Sequence, residues 1–233
     1  MFKCPSVSVF LFFLLYCISL AARASGMLPD TSVVVLEENT RETTIVVTNT
    51  DKVPALLLTS VQSVPEDKEK IIQVSPPAIR VDAGKKQTVR FLLTSQAPLK
   101  TERLKRVIFE GVPPKDNGDN RVKISVTQNL PVVIRPAGLV RNNTPWKLLK
   151  WTYHNKMLTV SNPSPYVVRL AQAVQTLPDN TRWNLNRTYI LPSETVSLKL
   201  ESQKAPSSPE QVHISPATTW GFTVDSWDAP LEP

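Results

Sequence analysis

Side chains that could do chemistry are few in this chain, and they are scattered along it. The sequence holds two histidines, His154 and His213, and two cysteines, Cys4 and Cys17. It contains no Gly-x-Ser-x-Gly nucleophile motif and no glycine-rich phosphate loop, so common nucleophile, metal and nucleotide sites lack their parts. His154 lies in a strand-like run with Trp151 and Tyr153, and this pattern favours a surface or half-buried strand histidine over a ligand. The sequence therefore predicts no enzymatic activity, no catalytic residue, no metal site and no cofactor.

The first 24 residues have the layout of a secretory signal peptide. Lys3 precedes a long apolar run, and Ala22-Arg23-Ala24 supplies a small-residue cleavage site. The run is shorter than the ~20 apolar residues that cross a bilayer, so we expect cleavage and no stable membrane insertion, with a retained signal anchor as the alternative. Removing 24 of the 233 residues leaves 209. Both cysteines leave with the signal, so packing rather than disulfides must stabilise the mature chain.

The charge of the chain is modestly positive and dispersed. The net charge is +7, and two of the basic residues, Lys3 and Arg23, lie in the predicted signal. The remaining lysines and arginines are spread over several short clusters, which is typical of solvated strand faces. We therefore expect no nucleic-acid partner for this exported chain.

The elements that must position any site are β-strands. Apolar residues alternate with polar ones over seven segments before Pro136, and turn-forming clusters separate these segments. Seven short strands at this spacing favour an immunoglobulin-like sandwich. A tryptophan-rich second set of strands follows Arg141, so we predict two all-β domains, 25–141 and 142–233, after a signal peptide at 1–24. No segment has a sustained helical period, and little helix is expected.

One predicted strand, "NRVKISVTQNLPVVIRP" at 120–136, is interrupted by its own proline. Val122, Ile124 and Val126 project to one side at the two-residue period. Pro131 has no N–H for a central ladder, so it marks an edge or a bulge where the pairing changes partner. The three apolar side chains either face the core of their own sandwich or are offered to another protein.

Several segments in a fixed order carry a resemblance to a known family. They are "VTNTDKVPALL", "VSPPAIRVDAGKKQTVRFL", "TERLKRVIFEGVPP", "NRVKISVTQNLPVVIRP", "LTVSNPSPYVVRL" and "ILPSET". In this combination the mature chain is similar, over nearly its whole length, to the periplasmic pilus chaperones of the chaperone-usher pathway, the PapD-like proteins.

The resemblance implies a periplasmic chaperone of two immunoglobulin-like domains in a boomerang arrangement. In that family the last strand of the first domain, G1, is lent to a fimbrial subunit, and the chaperone delivers the subunit to an outer-membrane usher. Val122, Ile124 and Val126 match the donor residues of G1. The resemblance leaves open whether the free protein caps this strand as a dimer. An immunoglobulin-like surface or adhesion module without a pilus client is the alternative function.

The chain departs from the family where the subunit's terminal carboxylate is held. The family's clamp arginine and lysine align with Ser32 and Pro131, so both cations are missing. A relocated anchor is then expected. The preferred candidate is Arg106, and the other candidates are Lys123 and Arg121. Arg90 and Glu102 match an interdomain ion pair of the family. No acid in "HISPATTW" matches the family's third partner, so the network is expected to be incomplete.

Overall fold

The computed structural model describes residues 26–114, 126–202, 205–218 and 224–232. The predicted signal peptide lies outside the described residues. The first sandwich contains nine strands: β1 (Met27–Pro29), β2 (Val34–Glu37), β3 (Glu42–Asn49), β4 (Ala55–Ser63), β5 (Ile72–Ser75), β6 (Ala78–Val81), β7 (Lys86–Leu93), β8 (Arg103–Val112) and β9 (Thr127–Arg135).

These nine strands form two sheets around one core. One sheet has the order β1-β3-β7-β5 and the other β2-β9-β8-β4-β6. Alternate residues of the strands face inward, as in β3, where Ile45 and Val47 are buried and their neighbours are less so. Phe91 and Phe109 meet edge to face in the core, with their ring centroids 6.4 Å apart.

The second sandwich begins after a short 3-10 helix, Pro145–Leu148. Its strands are β10 (Lys150–His154), β11 (Met157–Asn162), β12 (Val168–Leu170), β13 (Ala173–Leu177), β14 (Thr181–Asn184), β15 (Tyr189–Ile190), β16 (Glu194–Ser197), β17 (Lys199–Leu200), β18 (Gln211–Ile214), β19 (Pro216–Ala217) and β20 (Trp227–Glu232). They form a sheet of order β16-β11-β10-β20-β18-β13-β14-β17 and a smaller sheet β15-β12-β19. Trp151 and Trp183 are buried in its core.

The all-β, two-sandwich prediction is confirmed, and the prediction of little helix also holds for the described residues. Two details differ from the expected strands. The sequence pattern missed β1, which is only three residues long. Residues 71–81, which the sequence pattern predicts as one of the seven strands, do not form a single strand: Pro76 and Pro77 divide them into β5 and β6, which belong to different sheets. Among the described residues no helix is long and apolar enough to span a membrane.

Candidate functional site

Strand β9 is paired on both sides over only half of its length. It pairs antiparallel with β8 from Thr127 to Ile134. It pairs with β2 only from Val132 to Arg135, in parallel. No other strand in the described part of the chain pairs with residues 127–130 on the side away from β8. This part of β9 is therefore an open sheet edge.

Backbone geometry identifies the groups on the open edge. The N–H of Glu38 donates to the carbonyl of Arg135 at 2.9 Å, so Arg135 directs its carbonyl toward the β2 side. Main-chain groups of alternate residues point the same way, which places the N–H and carbonyl groups of Thr127 and Asn129 on the open edge. The ring nitrogen of Pro131 points to this side too, so the proline removes no bond from the β8 ladder. This explains how a regular strand contains a proline.

The apolar row of β9 leaves the core at its N-terminal end. Val132 is fully buried, and Leu130 packs against the same core. Val126 has the same phase as these two residues, yet 43% of its surface is exposed. Val122 and Ile124, the other two predicted donor residues, lie outside the described residues. Val126 is thus an apolar side chain that the first sandwich does not bury.

Arg106, the first candidate anchor, lies on β8 directly opposite Pro131. Its Nε donates to the side-chain oxygen of Asn129 at 2.7 Å, and its second guanidinium nitrogen donates to the Asn129 carbonyl at 2.8 Å. Burial lowers the pKa of Arg106. The structure therefore puts a cation directly opposite Pro131, the residue that was expected to align with the clamp lysine. Lys123 and Arg121 lie outside the described residues, and Ser32 is exposed just before β2.

A second arginine, Arg169, belongs to the same region. It lies on β12 of the second sandwich, paired with Tyr189, and donates to the Thr218 carbonyl at 3.1 Å. Burial, and then the charge of Arg106, lower the pKa of Arg169. Among the described residues neither arginine has a carboxylate partner. Sequence reasoning missed Arg169, although an arginine between the apolar Val168 and Leu170 was a usable signal.

The two sandwiches meet in an apolar cluster beside these arginines. Its buried members come from both, since Val33, Leu104 and Val133 of the first sandwich pack with Val167 of the second. Tyr189, the strand partner of Arg169, packs against the cluster. Leu104 and Arg106 are two residues apart on β8, so they face the same side of the sheet. Arg106 and Arg169 therefore lie at the junction of the two sandwiches.

Glu102 binds both sandwiches, but with a different arginine from the one predicted. Its carboxylate lies 3.2 Å from Arg135 Nε and accepts the N–H of Val167 at 2.9 Å. Burial raises the pKa of Glu102, against the effect of the Val167 hydrogen bond and the Arg135 charge. Arg90 instead pairs with Glu42 at 3.8 Å on the protein surface. The predicted Arg90 and Glu102 pair is wrong, because Arg90 is on β7 and Glu102 precedes β8 of the other sheet.

A further carboxylate of the first sandwich reaches the second. Glu66, in the loop after β4, accepts hydrogen bonds from Arg187 at 2.5 Å and from the Tyr189 hydroxyl at 2.8 Å. Burial and the bond to Glu66 raise the pKa of Tyr189 to about 12. Because "HISPATTW" contains no acid, the second sandwich was expected to supply no carboxylate there to the interdomain network. The carboxylate of Glu66, which links the two sandwiches, comes instead from the first sandwich.

The neighbouring Asp67 neutralises a buried lysine. Lys105 on β8 is only 1% exposed, and its Nζ lies 2.9 Å from the Asp67 carboxylate and 2.6 Å from the Asp67 carbonyl. Arg103 binds the same carboxylate. Burial alone would raise the pKa of Asp67, but the hydrogen bonds and charges of Arg103 and Lys105 outweigh it and hold this pKa below its ordinary value.

Neither histidine belongs to a candidate site within the described part of the chain. His213 Nδ1 lies 2.5 Å from Asp228 at the surface, and His154 is exposed at the end of β10. The described part of the chain has no cluster of three metal-ligating side chains.

Comparison with known proteins gives one consistent result. Residues 26–140 match the family model of the pili and flagellar-assembly chaperone, PapD N-terminal domain. Residues 144–227 match that of the pili assembly chaperone PapD, C-terminal domain. The predicted boundary at Arg141 falls between the two matched ranges and stays a prediction.

Two relatives cover most of the chain. Fimbrial chaperone YhcA of Escherichia coli (strain K12) is 40% identical over 215 residues, which are 92% of this chain and 94% of the relative. Chaperone protein MrkB of Klebsiella pneumoniae is 26% identical over 91% of this chain and 89% of its own.

Solved structures share the fold. A chain of the Salmonella enterica complex between the SafA pilin and the SafB chaperone matches with a TM-score of 0.74 at 21% identity, over 91% of this chain and 99% of that one. The Escherichia coli chaperone DraB matches with a TM-score of 0.72 at 22% identity, over 90% of this chain and 100% of that one.

Proposed function

Because the chain belongs to the PapD family of pilus-assembly chaperones, we propose that it binds fimbrial subunits by donating β9 and delivers them to an outer-membrane usher. One observation carries this proposal: residues 127–130 of β9 form an open edge, and the apolar row beside it leaves the core at Val126. A subunit strand that pairs with this edge gains main-chain hydrogen bonds. The apolar side chains beside the edge then fill the groove of the subunit.

The energy of such a complex is suited to transient holding. Full burial of Val122, Ile124 and Val126 in a subunit groove would contribute about 1.5–3 kcal/mol each. Each new ladder bond would add about 1 kcal/mol net. A subunit held by these interactions is protected from aggregation and can still be exchanged for another strand.

The place of action follows from the same proposal. The periplasm is the compartment of the family, and the predicted signal peptide would direct the chain there. The SafA pilin in the matched SafB complex supports a fimbrial subunit as the partner. The protein acts by binding rather than by catalysis, without a cofactor.

Co-expression tests the proposed function directly. The products of the neighbouring genes are expressed in the periplasm with and without this chain, and the soluble amount of each product is measured together with its co-purification. We expect soluble subunit to require the chaperone. If no subunit is rescued and none co-purifies, the protein is an immunoglobulin-like module without a pilus client.

We further propose that Arg106 anchors the terminal carboxylate of the subunit, with Arg169 beside it. A guanidinium can hold a carboxylate through two parallel hydrogen bonds, and two neighbouring arginines with no carboxylate partner among the described residues favour the binding of an anion. Lys123 and Arg121 remain the alternative anchors.

Substitution of Arg106 by alanine is expected to weaken subunit binding at least tenfold. Charge-assisted hydrogen bonds contribute about 1.5–3 kcal/mol, which corresponds to ten- to more than a hundredfold in affinity. Subunit recovery in the co-expression assay checks this, with circular dichroism showing that the free variant is folded. Arg80→Ala is the matched control, because Arg80 is exposed and pairs only with Asp82 among the described residues. Equal recovery with both variants would remove Arg106 as the anchor.

A further inference from the structure

An open β-edge is a hazard to the free protein, since it can pair with any exposed strand. Thr127 and Asn129 present their main-chain groups on the open edge of β9. One of these groups is already occupied, because Arg106 donates to the Asn129 carbonyl at 2.8 Å. The next residue that directs its nitrogen to this side is Pro131, which has no N–H to offer. Two consecutive outward-directed residues of the edge, Asn129 and Pro131, therefore each lack a main-chain group that an added strand could bond. They lie beside the start of β2.

We propose that Arg106 is a reversible edge lock: in the free protein it covers the Asn129 carbonyl that an added strand needs, and strand addition displaces it. The inference rests on the proposed function in one respect, that the added strand belongs to a fimbrial subunit.

The geometry suits a lock that can open. Arg106 reaches from β8 across β9 and holds Asn129 at two points, the side-chain oxygen and the carbonyl. Both acceptors are neutral, and the contact is exposed, so an N–H of an incoming strand can replace the guanidinium without leaving a buried group unpaired. The displaced Arg106 then has free donors.

The charge of Arg169 influences where the guanidinium of Arg106 lies after it has left Asn129. This like charge disfavours a closer approach of the Arg106 guanidinium to Arg169 in the free protein. A carboxylate entering the junction attracts both arginines and removes the repulsion. Opening of the lock and capture of a terminal carboxylate are thereby coupled: a ligand that brings a strand N–H and a carboxylate together displaces Arg106 most readily.

The lock is tested on the purified mature chain without any subunit, using a second copy of the chain as the probe strand. Sedimentation velocity over a concentration series measures self-association. We expect Arg106→Ala to self-associate at a concentration about tenfold lower than the wild type, because a charge-assisted bond no longer covers the edge. Asn129→Ala, which leaves Arg106 in place but removes one of its two acceptors, is expected to shift in the same direction by less.

A second substitution shows whether the association uses the edge. Thr127→Pro removes an N–H on the open side of β9 and none from the β8 ladder, so Arg106→Ala combined with Thr127→Pro is expected to return to the wild-type behaviour. Arg106→Lys keeps the charge but cannot hold both acceptors, and replaces Arg106→Ala if that variant does not fold. Self-association of the Arg106 variant that equals the wild type, or that persists with Thr127→Pro, overturns the lock.

Failure of the lock and failure of the proposed function give different results. The sedimentation assay contains no subunit, so a negative result there leaves subunit rescue by the wild type untouched. Conversely, an absent client in the co-expression assay leaves the self-association of the variants unchanged.

Discussion

Replacement of Ile124 by aspartate is expected to abolish subunit recovery and the assembly of surface fibres. In the sequence, Ile124 is the middle residue of the alternating row Val122, Ile124 and Val126. A carboxylate in an apolar groove costs several kcal/mol unless it is paired, so the donated strand would lose more than the burial of one isoleucine. Recovery of soluble subunit in the co-expression assay and electron microscopy of the cell surface measure the effect.

The control for this experiment is the adjacent residue. Ser125→Asp adds the same charge one position along the sequence, where the two-residue period predicts a side chain on the opposite face. We expect this variant to retain most of the subunit recovery. Fibres assembled normally by the Ile124→Asp protein would contradict donation of this face.

Substitution of Asp67 by alanine is expected to destabilise the first sandwich by about 3 kcal/mol. The substitution leaves Lys105 buried with no carboxylate of its own, and removal of one partner of a buried pair typically costs about 3–5 kcal/mol. We take the lower figure because Asp67 itself is partly exposed. Urea denaturation measures the change in the free energy of unfolding. Asp82→Ala, which breaks the exposed pair with Arg80, is the control and should change it by less than about 0.5 kcal/mol.

The pair of Asp67 and Lys105 also predicts that the free energy of unfolding depends on pH in the acid range. The pKa of Asp67 is lowered in the folded protein, so its contribution to stability is complete above the ordinary carboxyl pKa and is lost as the pH falls through the folded pKa. Acid unfolding of the Asp67→Ala protein should therefore have a flatter pH profile than that of the wild type. A loss of stability equal to that of Asp82→Ala at neutral pH would show that Lys105 does not need its partner.

The fold could be predicted because period-two alternation and proline positions are local signals. The same signals located the change of pairing at Pro131, where β9 acquires β2 as its second neighbour. They could not reveal β1, whose three residues are too few to show a period. They also could not divide 71–81 between two sheets, since both halves of that segment read as strand.

The junction between the sandwiches was the least predictable part. Glu66 binds Tyr189, 123 positions away, and such contacts depend on packing between domains that no local pattern records. The mistaken pairing of Arg90 with Glu102 has the same cause, because spacing along the chain does not tell which sheet a strand joins. The sequence marks Arg169 as an arginine between two apolar strand residues, but only the structure shows that it lies beside Tyr189 and Arg106.

The most direct test of strand donation is amide hydrogen exchange in β9, measured by nuclear magnetic resonance on the free monomer and on the complex with a co-purified subunit. The amides of Thr127 and Asn129 lie on the open edge, whereas those of Gln128 and Leu130 point to β8. We predict that Thr127 and Asn129 exchange rapidly in the free protein and are protected at least about a hundredfold in the complex, as amides in a formed ladder are. Gln128 and Leu130 should be protected in both states. Rapid exchange of Thr127 and Asn129 in a stable complex would contradict donation of β9.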